Sequence, residues 1–400
     1  MKKKKVIVVG GGYGGLRAVE RLAADGRFDI TLIDAHPYHY LQTEAYGYIA
    51  GRFDIHDITI DLANWCGGFG PAVTFVHAKV TGVDEVRQTV RAEERDLPYD
   101  YLIVAVGART RFFPFVKGLR EYSFGVKNLP RAFAFRRRFE RLICDKVRER
   151  RDTAGSELHI AVGGAGLSGV EIAAEMADVI AKHHRTLGTN ARKIRIRLID
   201  AAETILPGMH PALVARTVRR LERLGIEILT NAFIDSVEED RILLKDGTAL
   251  PYHFMIFTGG IEAGRFASPL SAPVNRIGQL IPDPFLNVGN PRIFAVGDCV
   301  ELRDLRGEPL PPTAQTAEKS AEYVVKSIRT IEDGRRVKPF RAGIDGVFVA
   351  LGGRYAAGEL FGRIHVGGYA AWLLKKLITK SYYFGLRLRI NTGFRKRTAP

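Results

Sequence analysis

Two glycine-rich loops, each set between a β-branched run and a helical run, predict an α/β protein built around two Rossmann-like dinucleotide-binding units. A third observation adds a C-terminal membrane-facing α/β module: the end of the chain is basic, amphipathic and edged with aromatic residues. At 400 residues the chain is too long for one ordinary core, and 46% hydrophobic with 26% charged residues is the composition of a folded protein. No run approaches the roughly 18 apolar residues needed to cross a bilayer.

The first unit begins with Lys3–Val9, a strand pattern buried on both faces. The basic start resembles the head of a leader peptide, but only Val6–Val9 follow before glycine, so no signal peptide is expected. Gly10, Gly12 and Gly15 then form G-x-G-x-x-G. One glycine permits the tight turn, one lets the backbone approach a pyrophosphate, and one lets helix pack on strand. LRAVERLAADG has helical spacing, and FDITLID is a second strand ending in Asp34, where a ribose-binding acid belongs.

The second unit repeats this grammar. Leu158–Val162 is the strand, Gly164, Gly166 and Gly169 are the glycines, VEIAAEMADVIAKHH is the helix, and KIRIRLID ends in Asp200. The acid lies farther off than usual because the helix is extended through RTLGTNAR. Later strands reach glycine in both units, at Gly107 in YDYLIVAVGART and at Gly259 in HFMIFTGGIEA. A further strand, NPRIFAVGDCVEL, delivers Gly297-Asp298 to a loop.

On these motifs the chain resembles the two-dinucleotide flavoproteins of the pyridine nucleotide–disulfide reductase superfamily. The resemblance implies FAD in the first unit, NAD(P)H in an inserted second unit, and Asp298 bonded to the ribityl chain. It also implies the boundaries 1–115 and 283–345 for the FAD domain, 116–282 for the NAD(H) domain and 346–400 for the membrane-association segment. Asp200 favours NADH over NADPH, since a carboxylate binds a free 2′-hydroxyl and repels a 2′-phosphate, and AAETIL after it offers no arginine.

Three cysteines, Cys66, Cys144 and Cys299, lie far apart, which points to a reducing compartment. The stretch HPYHYLQTEAYGYIAG lacks the paired cysteines of the thiol reductases, and Gly163–Ala177 lacks the cysteine of the sulfide:quinone branch. All three are expected to be ordinary packing residues, and no metal site is expected.

LPPTAQTAEKSAEYVVKSI opens a helix at Thr313. Ala314-Gln315-x-Ala317 resembles the quinone-site signature A-Q-x-A-x-Q of type II NADH dehydrogenases, with Lys319 in place of the last glutamine. The resemblance implies that Gln315 contacts a quinone oxygen and that Lys319 alters the headgroup pocket; the alternative is an ordinary capped helix. It also implies that Glu171, placed in the first turn of the second unit's helix, delivers protons near the nicotinamide and quinone. The alternative there is stabilisation of the helix dipole.

The net charge is +16, and no acidic residue follows Glu359. Ala370, Leu373, Leu374, Leu377 and Ile378 form an apolar stripe, flanked by Trp372, Tyr382, Tyr383 and basic residues from Arg363 to Arg397. This pattern reads as an in-plane anchor on an anionic membrane. Aromatics that accompany an apolar stripe, rather than a basic patch, argue against nucleic acid. The basic run RRRFERLICDKVRERR is expected to be a solvated helix face. The expected protein is a flavoprotein passing electrons from NADH through FAD to a membrane quinone, peripheral on the cytoplasmic face of the membrane, homodimeric by resemblance, with no spanning segment for proton pumping. A reductase with another donor or acceptor, or a redox-sensing NADH-binding flavoprotein, are the alternatives.

Overall fold

The computed structural model of the chain describes residues 2–148, 157–187, 194–264, 270–304 and 306–391. Val6–Val9 are all buried, as the apolar run requires, and Lys4–Val9 is a central parallel strand. It pairs with Phe28–Asp34 on one side and Tyr101–Val104 on the other. Val73–His77 extends the sheet beyond Phe28–Asp34, and Asn290–Ala295 returns from late in the chain to pair with Tyr101–Val104. The Gly297-Asp298 loop is thereby delivered to the first unit.

A second parallel sheet runs Phe254–Phe257, Leu158–Gly163, Ile194–Ile199, Ile226–Leu229, with Ser123–Phe124 at its edge. The two segments that connect the units, Ala108–Thr110 and Ile261–Ala263, pair antiparallel, and Arg109 bonds Glu262 across them at 2.7 Å. The helix Leu129–Arg148 sends Phe135 and Phe139 into the core. Its Arg136 is not solvated as expected but is mostly buried, bonding Glu140 at 2.7 Å and the Phe53 carbonyl. Residues 149–151 of that basic run, 188–192 of the extended helix, and Arg395–Arg397 of the tail lie outside the described residues.

The C-terminal part is an antiparallel sheet, Gly346–Ala350, Ala356–Leu360 and Ile364–Gly368, followed by the helix Tyr369–Asn391. The sheet docks on the inserted unit, where Arg220 donates to the Leu351 and Gly352 carbonyls at 3.0 and 3.2 Å. The helix docks on the first unit, where Arg389 bonds Glu20 at 2.8 Å. Ala371 and Leu386 are buried on the inward face. The stripe read from the sequence points the other way: Leu373, Leu374 and Leu377 are 42%, 38% and 56% exposed. Tyr382 and Tyr383, expected at a membrane interface, instead tether the helix; Tyr383 donates to the His56 carbonyl at 2.7 Å. No helix among the described residues is long and apolar enough to cross a membrane.

Candidate active site

The two glycine loops share one construction. At Gly10 (φ +108°) a side chain would strike the Ala105 carbonyl, and at Gly15 the Gly10 carbonyl. At Gly164 (φ +100°) it would strike Gly259, and at Gly169 the Gly164 carbonyl. A β-carbon at Gly12 or Gly166, by contrast, would meet no neighbour within 4 Å. Four glycines therefore serve close packing, and the middle one of each loop opens a cradle that a phosphate can enter. The helix Tyr13–Ala23 behind the first loop has no side-chain cap and no acid in its first turn, so its amide groups favour an anion. Asp34 accepts from Gly11 N at 2.5 Å and His36 N at 2.7 Å. Asp200 does the same for the second loop, accepting from Ala165 N and, at 2.7 Å, from Ala202 N.

A cavity of about 1020 Å³ runs from the first loop to the C-terminal helix. Gly10, Gly12, Asp34, Gly107, Gly297 and Asp298 line it from the first unit, Glu171 from the second, and Gln315 from the helix Ala314–Glu332. Gly15, Gly164, Gly166, Gly169, Asp200, Gly259 and Lys319 do not line it. Gly297 and Ala317 are small enough to let the helix approach, and Ser320 Oγ accepts from Gly297 N at 3.1 Å. The helix opens at Thr313, as its sequence predicted, and Thr313 caps it in a reciprocal box with Thr316.

Gln315 Oε1 accepts from Asp345 N at 2.9 Å. Lys319, one turn on, does not line the cavity and holds the same segment, bonding the Gly343 carbonyl and Asp345 Oδ1, both at 2.6 Å. The substitution in the signature thus fastens residues 343–345 to the helix.

Glu171 lies in the second turn of the helix Leu167–Leu187, not the first, which removes the dipole as its main partner. Its Oε1 accepts from Lys375 Nζ at 2.8 Å and Ala350 N at 2.9 Å. Lys375 comes from the C-terminal helix, where the sequence pattern placed it among the basic residues of a membrane anchor. Burial opposes its charge, but Glu171 and Glu44 outweigh burial and hold its pKa above the ordinary lysine value. Glu44, behind the cavity wall, is pushed up to about 7, chiefly by burial, with Lys375 opposing. Spacing on the helix carries a signal that could have found Lys375: Ala371, Lys375, Thr379, Tyr382 and Leu386 repeat at helical period on the inward side.

Two other contacts escaped sequence reading. Lys127 Nζ pairs with Asp298 Oδ2 at 3.0 Å. His39 is buried, which holds its pKa down near about 4 despite its bond to the Gly11 carbonyl. A carbonyl only accepts, so His39 Nδ1 donates at 2.8 Å and Nε2 accepts from Tyr382 Oη at 3.3 Å. The C-terminal helix is thus bonded through one imidazole to the first glycine loop.

None of the three cysteines lines the cavity. Burial pushes the Cys66 thiol up to about 12 and Cys299 up to about 11. Cys144, expected to be packed, is exposed.

Two sheets, two loops of one design and a late strand returning to the first sheet are the architecture of a known group. The family model of pyridine nucleotide-disulphide oxidoreductases matches residues 4–321. The chain belongs to this family. Among family relatives, it is 29% identical over 398 residues to the type II NADH:quinone oxidoreductase of Staphylococcus haemolyticus, covering 95% of this chain and 96% of the relative. It is 29% identical over 395 residues to the Staphylococcus aureus protein of the same name, with the same coverage. The fold matches Plasmodium falciparum NDH2 in complex with NADH with a TM-score of 0.85 at 21% identity, over 97% of both chains. It matches the sulfide:quinone oxidoreductase of Aquifex aeolicus with a TM-score of 0.80 at 18% identity, over 98% of this chain and 94% of that one.

Proposed function

We propose that this oxidoreductase passes electrons from NADH through FAD to a membrane quinone without pumping protons. The observation that carries the reading is the single cavity, which joins the first glycine loop, the Glu171–Lys375 pair, Gln315 and the root of the half-exposed C-terminal helix. The open cradle at Gly12 and the uncapped helix behind it fit the pyrophosphate of FAD, with Asp34 at the ribose and Asp298, held by Lys127, at the ribityl chain. The cradle at Gly166 fits that of NADH, with Asp200 selecting the free 2′-hydroxyl. Bound FAD supplies a carrier that accepts hydride from NADH and gives electrons to a quinone.

Gln315 orients the quinone oxygen by its amide, which the Asp345 amide holds in place. Reduction to quinol consumes two protons. Lys375 Nζ and Glu171 Oε1 share one at the cavity wall, and Glu44 holds a further one for part of the time at neutral pH. The division into residues 1–115 with 283–345, 116–282 and 346–400 follows these roles. The outward apolar face of the last segment rests on an anionic membrane at its cytoplasmic side, where NADH is available.

The relatives named type II NADH:quinone oxidoreductase support this acceptor. The likeness to the sulfide:quinone enzyme keeps a second donor in view, but none of the three cysteines lines the cavity and none is in a disulfide that sulfide could attack. Stopped-flow decides between them. NADH should bleach the flavin absorbance quickly, sulfide should not, and a short-chain quinone should restore it. With Gln315→Ala the restoring step should slow while bleaching by NADH is unchanged; equal slowing of both would remove Gln315 from the quinone side.

A further inference from the structure

We propose that His210, Glu359 and His365 form a divalent-cation site, best suited to Zn²⁺, that fastens the C-terminal sheet to the inserted unit. The three donor atoms lie within 4.8 Å of one another, and the two imidazole rings are 4.2 Å apart between centroids. Glu359 and His365 face each other across adjacent antiparallel strands, so backbone register fixes that half of the site. His210 comes from elsewhere in the chain, as the residue that begins the helix Pro211–Arg223. No local spacing reveals the set, because its members meet only in the folded protein.

The decisive atom is His365 Nε2. It is buried, has no hydrogen-bond partner, and stands 3.5 Å from Glu359 Oε2 without hydrogen-bond geometry. A buried ring nitrogen left unpaired is costly, and coordination would satisfy it. Two histidines and one carboxylate are a ligand set that Zn²⁺ prefers over Mg²⁺ or Ca²⁺, with a fourth position left for water. Donors around one tetrahedral Zn²⁺ stand roughly 3.4 Å apart, so the side chains close by about 1 Å on binding.

Two features set the strength of the site. His210 Nδ1 accepts from Ala212 N at 3.2 Å, capping its helix. An ion on Nδ1 replaces that long bond; an ion on Nε2 moves the ring proton to Nδ1 and gives it up. Arg216 packs against Gly367, two residues beyond His365 on the same strand, and its charge opposes the cation. Leu360 and Phe361, next to Glu359, line the large cavity, so the bound ion would steady that wall. The other clustered trio, Asp54, His56 and Asp57, is exposed, and Asp54 and Asp57 are occupied in a capping box.

The test uses the full chain, stripped with chelator and titrated with Zn²⁺ in a calorimeter, with Co²⁺ absorption as a second readout. One Zn²⁺ per chain should bind, the unfolding midpoint should rise with Zn²⁺ and not with Mg²⁺, and Co²⁺ should give the visible bands of a tetrahedral nitrogen and oxygen site. His365→Ala should weaken Zn²⁺ binding by at least about 100-fold, while Asp54→Asn leaves it unchanged. If His365→Ala does not fold, His210→Ala at the exposed ligand decides instead, with at least about tenfold weakening expected. Absence of Zn²⁺ binding, or binding that survives both histidine changes, overturns the site and leaves a plain Glu359–His365 charge pair.

Discussion

Glu44 is a carboxyl buried near Lys375 and Glu171, with the Tyr46 hydroxyl 3.4 Å away. Its pKa is raised from 4.5 to about 7, so neutral Glu44 contributes stability that is full below about 4.5 and lost as pH rises through about 7. Glu44→Gln should therefore gain stability over the parent as pH rises, by up to about 3 kcal/mol between about pH 5 and about pH 8. Urea unfolding at both pH values checks this; a difference independent of pH would mean that Glu44 is ionised throughout. Asp200 carries a different lesson. The sequence assigns it to the cofactor, yet in the fold it also braces its own loop through Ala165 N and Ala202 N. Asp200→Ala should raise the KM for NADH by about tenfold or more and narrow the ratio of kcat/KM for NADH over NADPH, because both the loop and the repulsion are lost. Steady-state kinetics with both nucleotides measure it, and an unchanged ratio would remove Asp200 as the selector.

The C-terminal helix has two working faces. Lys375 and Tyr382 close the cavity, Ile378 stands at its rim, half-exposed, and Leu373, Leu374 and Leu377 look outward. Deleting the chain after Gly362 would open the cavity as well as remove the outward face, so deletion cannot isolate membrane binding. Point changes can. Leu373→Glu with Leu377→Glu should abolish flotation with anionic vesicles and cut turnover with a long-chain quinone at least about tenfold, since two half-buried leucines are worth about 1 kcal/mol each in the interface. NADH oxidation with ferricyanide should stay within about twofold of the parent. If the quinone and ferricyanide rates fall together, the outward face is part of the fold and not of a docking surface.

For the molecule as a whole, the proposed membrane docking divides its work: a net charge of +16 would attract an anionic surface from a distance, and the apolar face would supply contact once there. Salt at about 0.5 M shrinks the Debye length to about 4 Å and removes the first effect only. Flotation with anionic vesicles should thus fall at high salt but persist in part. Complete release would show that the apolar face never enters the interface. The units themselves are held by specific pairs rather than by net charge: Arg109–Glu262 across the paired connectors Ala108–Thr110 and Ile261–Ala263, Arg52–Glu175 at 2.5 Å, and the docked C-terminal sheet make them one body with a shared cavity.

Both nucleotide units were legible in the residues because their signals are local: a glycine that cannot carry a side chain, the strand before it and the acid after the next strand lie within one stretch of chain. The capped start of the helix at Thr313 was legible for the same reason. Periodicity located the apolar stripe of the last helix but not what covers its opposite face, so Lys375 was read with the membrane-facing basic residues until the fold placed it against Glu171. Lys319 bonded to residues 343–345, Glu44 buried near a lysine, and His210 beside His365 were likewise decided by tertiary structure. In each, the partner is distant in sequence, and burial, which sets the charge state, exists only once the segments have packed.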